Sequence, residues 1–293
     1  MAILSPALYG ITNFIEKFLV EKKIKDPVIV PIFGGITTFV IGTIILAFSG
    51  FPSLPRLELV LILLSGIFLE LYLIPYFIAL SEEDASRIIP LFQFIPFFIL
   101  ILSYFFLKEN LDRQQLLGFL LIFCGGFALG VKQIKGGIFK LRKALYLMIA
   151  ASFLYSLNSI IFKFVAISAN FWTTIAYQFM GMGLGALLLL SIHSYRQKFS
   201  HDVHLATFQV WSLLSLNQII VILAQLVLSY AYLLAPIALV SVVAGGAQPL
   251  LVLSYGLILT RFFPHIIKED IKKIHNSIKT RGNLHNYSRS NTN

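Results

Sequence analysis

Charge is the scarcest feature of this sequence. Only 12% of its 293 residues are charged, against 58% hydrophobic, and the mean hydropathy is +0.85. A soluble domain has roughly a quarter of its residues charged, and one core of this size cannot hide so much apolar surface. A soluble enzyme and a disordered chain are excluded. Cysteine is almost absent. Cys124 is the only one, so no disulfide forms within the chain and a secreted disulfide scaffold is excluded. Alternation of polarity is also missing. Chargeless runs from Ile29 to Phe48, Leu59 to Leu69 and Arg113 to Lys132 follow one another, and a transmembrane β-barrel needs alternating strands.

Catalytic and metal chemistry has little to stand on. The six histidines lie at the ends of apolar runs, in connections or in the tail. His201-x-x-His204 has metal-ligand spacing, but such pairs are mostly solvated. No phosphate loop, haem pair or nucleophile constellation appears. The sequence therefore points away from an enzyme, with no catalytic residues, no metal and no cofactor.

What the chain does have is apolar length. A spanning helix needs about 20 mostly apolar residues, and nine stretches qualify: 2–20, 28–49, 57–80, 86–107, 113–131, 144–168, 171–193, 209–234 and 237–260. In lipid they must be helical, because only a helix satisfies its own backbone. Short connections make neighbours antiparallel. The first stretch is kept in the fold, since it has no basic leader and carries Glu16-Lys17 where a cleavage region would be uncharged. Residues 261–293 are basic and polar, with an amphipathic piece near Phe262 to Ile278 and disorder expected beyond.

The formal net charge is +10. Eighteen Lys and Arg fall in one set of alternating connections and the tail, and three in the other set. Basic connections stay in the cytoplasm, so the N-terminus is expected outside and the tail inside. Anionic lipid explains this charge better than nucleic acid does.

Two halves of the chain repeat. Ala7-Leu8-Tyr9 through Asn13 to Lys17-Phe18 aligns with Phe153-Leu154-Tyr155 through Ser159 to Lys163-Phe164 at a constant offset of 146. The fourth and ninth stretches correspond more weakly, through Phe94-Ile95-Pro96 and Ala247-Gln248-Pro249. Five spans before the repeat is an odd number, so the second half enters the membrane inverted. Inverted repeats are an architecture of secondary transporters, with the site near the midplane between the repeats.

Several words then read in order: Tyr76-Phe77-Ile78-Ala79-Leu80, Ala85-Ser86, Pro90-Leu91 to Pro96, Phe106-Leu107-Lys108-Glu109, and Gln115-Leu116-Leu117-Gly118 to Gly125-Gly126. They resemble the closing spans of an EamA-type repeat of the drug/metabolite transporter superfamily. The resemblance covers roughly 1–260. It implies an all-α integral membrane protein of two inverted five-helix repeats, here five plus four spans, that moves a small metabolite. The domains expected are 1–131 (first repeat), 132–143 (basic linker loop), 144–260 (second repeat) and 261–293 (polar tail). Two departures stand out. Thr260-Arg261-Phe262 replaces the Leu-x-Glu turn, and a polar tail follows where a tenth helix is expected.

Charges inside a membrane cost about 2.5–3.5 kcal/mol on insertion scales, so the ionisable residues within the stretches need a reason. Glu70 lies near the midplane of the third. It is a candidate proton carrier, or a structural glutamate held by Lys17, Lys163 or a buried neighbour. Tyr9, Asn13 and Lys17 share one helix face, and Tyr155, Ser159 and Lys163 repeat that spacing, so both stripes are expected to face a common cavity. Snorkelling to the headgroups is the alternative for the two lysines, and Glu16 is expected at the same interface with a connection lysine. Buried amides either glue helices or line a cavity. Among them Gln93 and Gln248 precede Pro96 and Pro249, and a proline frees a carbonyl and bends its helix. Asn158 and Gln225 complete the substrate-binding candidates.

The function expected is secondary transport of a small organic metabolite or drug-like solute by alternating access, in the plasma membrane. The partners are the solute and membrane lipid, and a homodimer is compatible with this. A degenerate, non-transporting scaffold or binding protein is the alternative. Reporter fusions after Arg142 and after Lys273 should both give cytoplasmic signals. An extracytoplasmic signal at both would reverse the orientation.

Overall fold

The computed structural model describes residues 1–24, 26–83, 88–133 and 138–262. All regular structure among them is helical: α1 (Leu4–Lys22), α2 (Ile29–Ser49), α3 (Arg56–Leu71), α4 (Leu73–Glu82), α5 (Phe94–Leu102), α6 (Arg113–Gln133), α7 (Ile138–Ser168), α8 (Phe171–Ser191), α9 (His193–Leu205), α10 (Phe208–Leu234) and α11 (Ile237–Phe262). A 3-10 turn (Ile89–Gln93) precedes α5 and a π-turn (Ser103–Leu107) follows it. Each of the nine apolar stretches is helical. Seven segments are long and apolar enough to cross a bilayer. Neither α6 nor α1, which carries Glu16, Lys17, Glu21 and Lys22, is among those seven. The chain is an all-α, multi-pass membrane protein. The connecting helix α9 has no buried residue. Both described ends of the expected linker loop, up to Gln133 and from Ile138, are helical, and the polar tail lies outside the described residues. Residues 1–252 make one compact unit. Residues 253–293 make another, described only for the last turns of α11.

Two spans are broken by proline. Pro75 has no N–H to give the Leu71 carbonyl, so the third span divides into α3 and α4 at Tyr72. The fourth span starts as a 3-10 turn with Pro90 in its first positions and becomes α-helical at Phe94. Both breaks fall beside the cavity described below.

The helices of the unit pair across the repeats. α1 packs on α10, the third span of the second half. α7 packs on α3 and α4, the third span of the first half, and α2 packs on α8. The inversion can be followed along α7. Lys143 at its near end pairs with Glu82, while the neighbouring Glu83 carbonyl accepts from Lys17 Nζ at 2.7 Å. Lys163, the repeat equivalent of Lys17, lies farther along the same helix. The distance from Lys143 to Lys163 is roughly 30 Å at 1.5 Å per residue, which is the thickness of the hydrocarbon core. The equivalent lysines therefore occupy opposite ends of the bundle.

Glycine lets α2 and α3 meet α8 closely. A Cβ on Gly66 would stand 2.1 Å from the Gln178 carbonyl oxygen, and one on Gly181 would stand 2.3 Å from that of Leu63. Membrane helices associate through such backbone approach. Beside it, Asn158 Oδ1 accepts from Ser65 Oγ at 2.8 Å and from Gln178 Nε2 at 2.7 Å, tying α3, α7 and α8. Gly66→Ala and Gly181→Ala should each lower stability by about 1–3 kcal/mol. Gly118→Ala meets nothing within 4 Å and should be neutral. Thermal unfolding of the purified variants checks this, and equal melting of all three would contradict it.

Candidate functional site

α1 and α10, with α7 and α11, enclose a cavity of ≈ 90 Å³ together with the broken third and fourth spans. From the first half come Ser5, Tyr9, Asn13 and Glu16 of α1, Tyr72 and Tyr76 at the α3–α4 break, and Phe92, Ile95 and Pro96 of the fourth span. From the second half come Tyr155, Leu228, Tyr232, Ser241, Ala244 and Gln248. A wider space of ≈ 180 Å³ lies among Lys22, Lys23, Asp202 and Trp211. It sits at the helix ends, where Lys198 pairs with Asp26 at 2.6 Å and this carboxylate holds the Lys198 ammonium above its ordinary range. Both spaces draw on both halves, and the first is the one that the broken third and fourth spans help to line.

Its polar wall is a directed chain. Gln248 Nε2 donates to Asn13 Oδ1 at 3.1 Å, and Asn13 Nδ2 donates to the Tyr76 hydroxyl at 2.9 Å. Tyr76 donates to Glu16 Oε2 at 2.8 Å, and Asn217 Nδ2 donates to Glu16 Oε1 at 3.4 Å. The donors of four helical segments thus converge on one carboxylate, and both its oxygens accept. Tyr9 donates to Gln225 Oε1 at 2.8 Å, and the rings of Tyr72 and Tyr155 meet edge to face at 5.0 Å. The Ser5 and Ser241 hydroxyls, both in the wall and buried, have no hydrogen-bond partner among the described residues.

The sequence-derived candidates separate. Tyr9, Asn13, Tyr155 and Gln248 line the cavity, and Gln225 holds Tyr9 from behind. Lys17, Glu70, Gln93, Asn158, Ser159 and Lys163 do not line it. Lys17 Nζ instead donates to the carbonyls of Leu80 and Glu83, each at 2.7 Å, and pairs with Glu21 at 2.9 Å. Lys163 Nζ donates to the Ala235 carbonyl at 2.7 Å and pairs with Glu109 at 2.5 Å. Each lysine thus caps the C-terminal end of the third span of its own repeat, where unsatisfied carbonyls and the helix dipole both favour a cation. The Leu-x-Glu turn has a matching task. Lys108 adopts a left-handed backbone (φ 56°), which costs a non-glycine residue about 1–2 kcal/mol. The turn carries Glu109 to Lys163 and to the backbone N–H of Ile237 at 2.9 Å.

Gln93 is structural as well. Pro249 cannot serve the carbonyl four residues earlier, which is that of Gly245, and Gln93 Nε2 donates to that oxygen at 2.5 Å. Asn158 belongs to the α3–α7–α8 glue, and Ser159 donates to its own helix at Tyr155. Glu70 is held by neither Lys17 nor Lys163. It is fully buried, against Gly35 of α2 and Gly185 of α8, and among the described residues neither oxygen has a hydrogen-bond partner. Glu16 departs from expectation in the other direction. It faces inward because residues 9, 13 and 16 share a helix face, so its partners are Tyr76 and Asn217. Tyr72, Tyr76 and Tyr232 were not singled out by the sequence. The Tyr72–Tyr76 spacing of four beside Pro75 was the available signal.

Residues 1–131 match the EamA-like transporter family. That family comprises membrane transporters of small solutes, and the match leaves out residues 132–293. Comparison with curated proteins found no match.

Lys17→Met and Lys163→Met should each destabilise the protein by about 3–5 kcal/mol, because each leaves buried polar partners uncompensated. Differential scanning fluorimetry measures this. Unchanged melting with a changed solute affinity would make the lysines ligands instead of caps.

Proposed function

We propose that this EamA-type member of the drug/metabolite transporter superfamily is a secondary transporter of a small organic solute, working by alternating access in the plasma membrane. One observation carries the reading. The cavity is built by both inverted repeats, and its largely apolar wall holds a carboxyl group and two buried hydroxyls that have no partner among the described residues. Buried polar groups are otherwise nearly always satisfied, so such a wall suits a ligand better than a packing void. Because the walls come from two repeats, rocking one repeat against the other would expose the cavity to each membrane face in turn. A non-transporting scaffold has no use for such a wall.

Glu70 is the proposed coupling residue. An ionised carboxylate without a partner in that glycine seam would be strongly disfavoured, so the neutral acid suits the arrangement described here. Gly35 and Gly185, which pack against it, bring no charge, and Tyr72, two residues on, lines the cavity. A shift of α2 and α3 on α8 would admit water and release the proton, linking the proton to the solute without contact between them.

The test is solute counterflow in proteoliposomes, screened over amines, amino acids, nucleosides and sugars. We expect exchange of at least one class, lost in Ala244→Trp, which fills the cavity. No exchange by folded protein, or exchange indifferent to Ala244→Trp, would defeat the reading. Glu70→Gln should fold and insert normally and still transport, but without pH dependence. Full pH dependence in that variant would leave Glu70 a structural residue.

A further inference from the structure

The cavity wall has a carboxyl group with no cation beside it. Glu16 is the one carboxyl group of its lining, and among the described residues no Lys, Arg or His shares that wall. Among the described residues it has no ion-pair partner. The adjacent Lys17 is turned away, to the Leu80 and Glu83 carbonyls and to Glu21. The donors that reach Glu16 are neutral: the Tyr76 hydroxyl and the Asn217 amide. They orient a carboxyl group but bring no positive charge to it, at a residue only 7% exposed. A buried carboxylate of this kind is complementary to a cation.

The rest of the lining suits one sort of cation. Four tyrosines, Tyr9, Tyr72, Tyr76 and Tyr155, stand around the cavity with Tyr232, and aromatic faces attract ammonium groups. The remaining wall is largely apolar, as at Phe92, Ile95 and Leu228. Ca²⁺ and Mg²⁺ are usually held by carboxylates, and among the described residues no three His, Cys, Asp or Glu side chains group to hold a metal. The partnerless Ser5 and Ser241 hydroxyls add acceptors that an N–H donor can use.

We infer that the cavity takes a small organic cation, an amine or ammonium compound with an apolar body, whose charge is balanced by Glu16 and whose methylene or methyl groups lie against the tyrosine rings. This deepens the transport reading and rests on it for the fate of the ligand. Its own claim concerns binding.

The test uses three probes that share one ring and differ in charge: phenylethylamine, its neutral N-acetyl derivative, and 3-phenylpropionate. Binding to the full chain in nanodiscs is measured with tritiated phenylethylamine and by competition with the other two. The amine should bind saturably and at least tenfold more tightly than either analogue. Glu16→Gln keeps the size and the hydrogen bonds from Tyr76. It should melt as the wild type does, and should weaken amine binding tenfold or more while leaving the neutral analogue unaffected. If Glu16→Gln misfolds, Tyr155→Leu substitutes: it removes one ring and should weaken the amine severalfold. No saturable amine binding, a preference for the neutral or anionic probe, or undiminished amine binding by folded Glu16→Gln would overturn the inference. Transport of an uncharged or acidic solute that amines do not inhibit would also overturn it, while leaving the transport reading intact. Amine binding without counterflow of any solute would instead defeat transport and uphold the cation site.

Discussion

A helix that ends inside a packed membrane bundle must do something with its last carbonyls. The third span of each repeat meets this constraint in the same way. A lysine from the first span of that repeat reaches across and donates to them, Lys17 at Leu80 and Glu83, and Lys163 at Ala235. The first and third spans of each repeat are thereby fixed to one another, and the packing of α1 on α10 and of α7 on α3 interlocks the two units. The cavity between them follows from that geometry. The caps lie at opposite ends of the bundle, and each ties the first span of its repeat to the end of the third.

The two caps are not equivalent. At Lys163, Glu109 arrives from the other repeat and also receives the Ile237 N–H, so one turn joins α7, α11 and the end of α10. At Lys17 the carboxylate is local, Glu21 one turn farther along α1. This agrees with the sequence, where Thr260-Arg261-Phe262 replaces the Leu-x-Glu turn of the second repeat. The Lys163 end carries a clasp between repeats, and among the described residues the Lys17 end has only its own helix to supply the countercharge. The two carboxylates of the interior divide in the same spirit. Glu16 collects donors and faces the cavity, whereas Glu70 collects none and faces the glycine seam. Environment, not residue type, sets the two carboxyl groups apart.

The sequence made the helices and the repeat legible because both are written in patterns that lipid enforces. Apolar length marks spans, and the shared Tyr-x₃-[Asn/Ser]-x₃-Lys spacing marks the paired first helices. The cavity was partly legible. Tyr9, Asn13, Tyr155 and Gln248 are there because helical periodicity carries them inward. The lysines at the end of the same stripes were expected beside them, but one further turn carries each past the cavity to a helix end. Gln93 could not be read from its own helix, since its partner carbonyl is freed by Pro249 some 150 positions away. Glu16 was hidden by its neighbour: Glu16-Lys17 reads as an interfacial pair, yet adjacent residues on a helix point about 100° apart, and these two go to different places. Tyr72 and Tyr76 depend on the break at Pro75, which periodicity does not display.

The proposed transport requires that the cavity shared by the two repeats be reached from either membrane face in turn. Cys124 is the only native cysteine, so a Cys124→Ser background leaves a single thiol when Ala244→Cys is added in the cavity wall. In vesicles of one orientation, a membrane-impermeant thiol reagent should label that cysteine when applied from outside and, separately, when enclosed inside, and a bound solute should slow both reactions. Labelling from one face alone, whatever the conditions, would contradict alternating access and leave the cavity a fixed pocket.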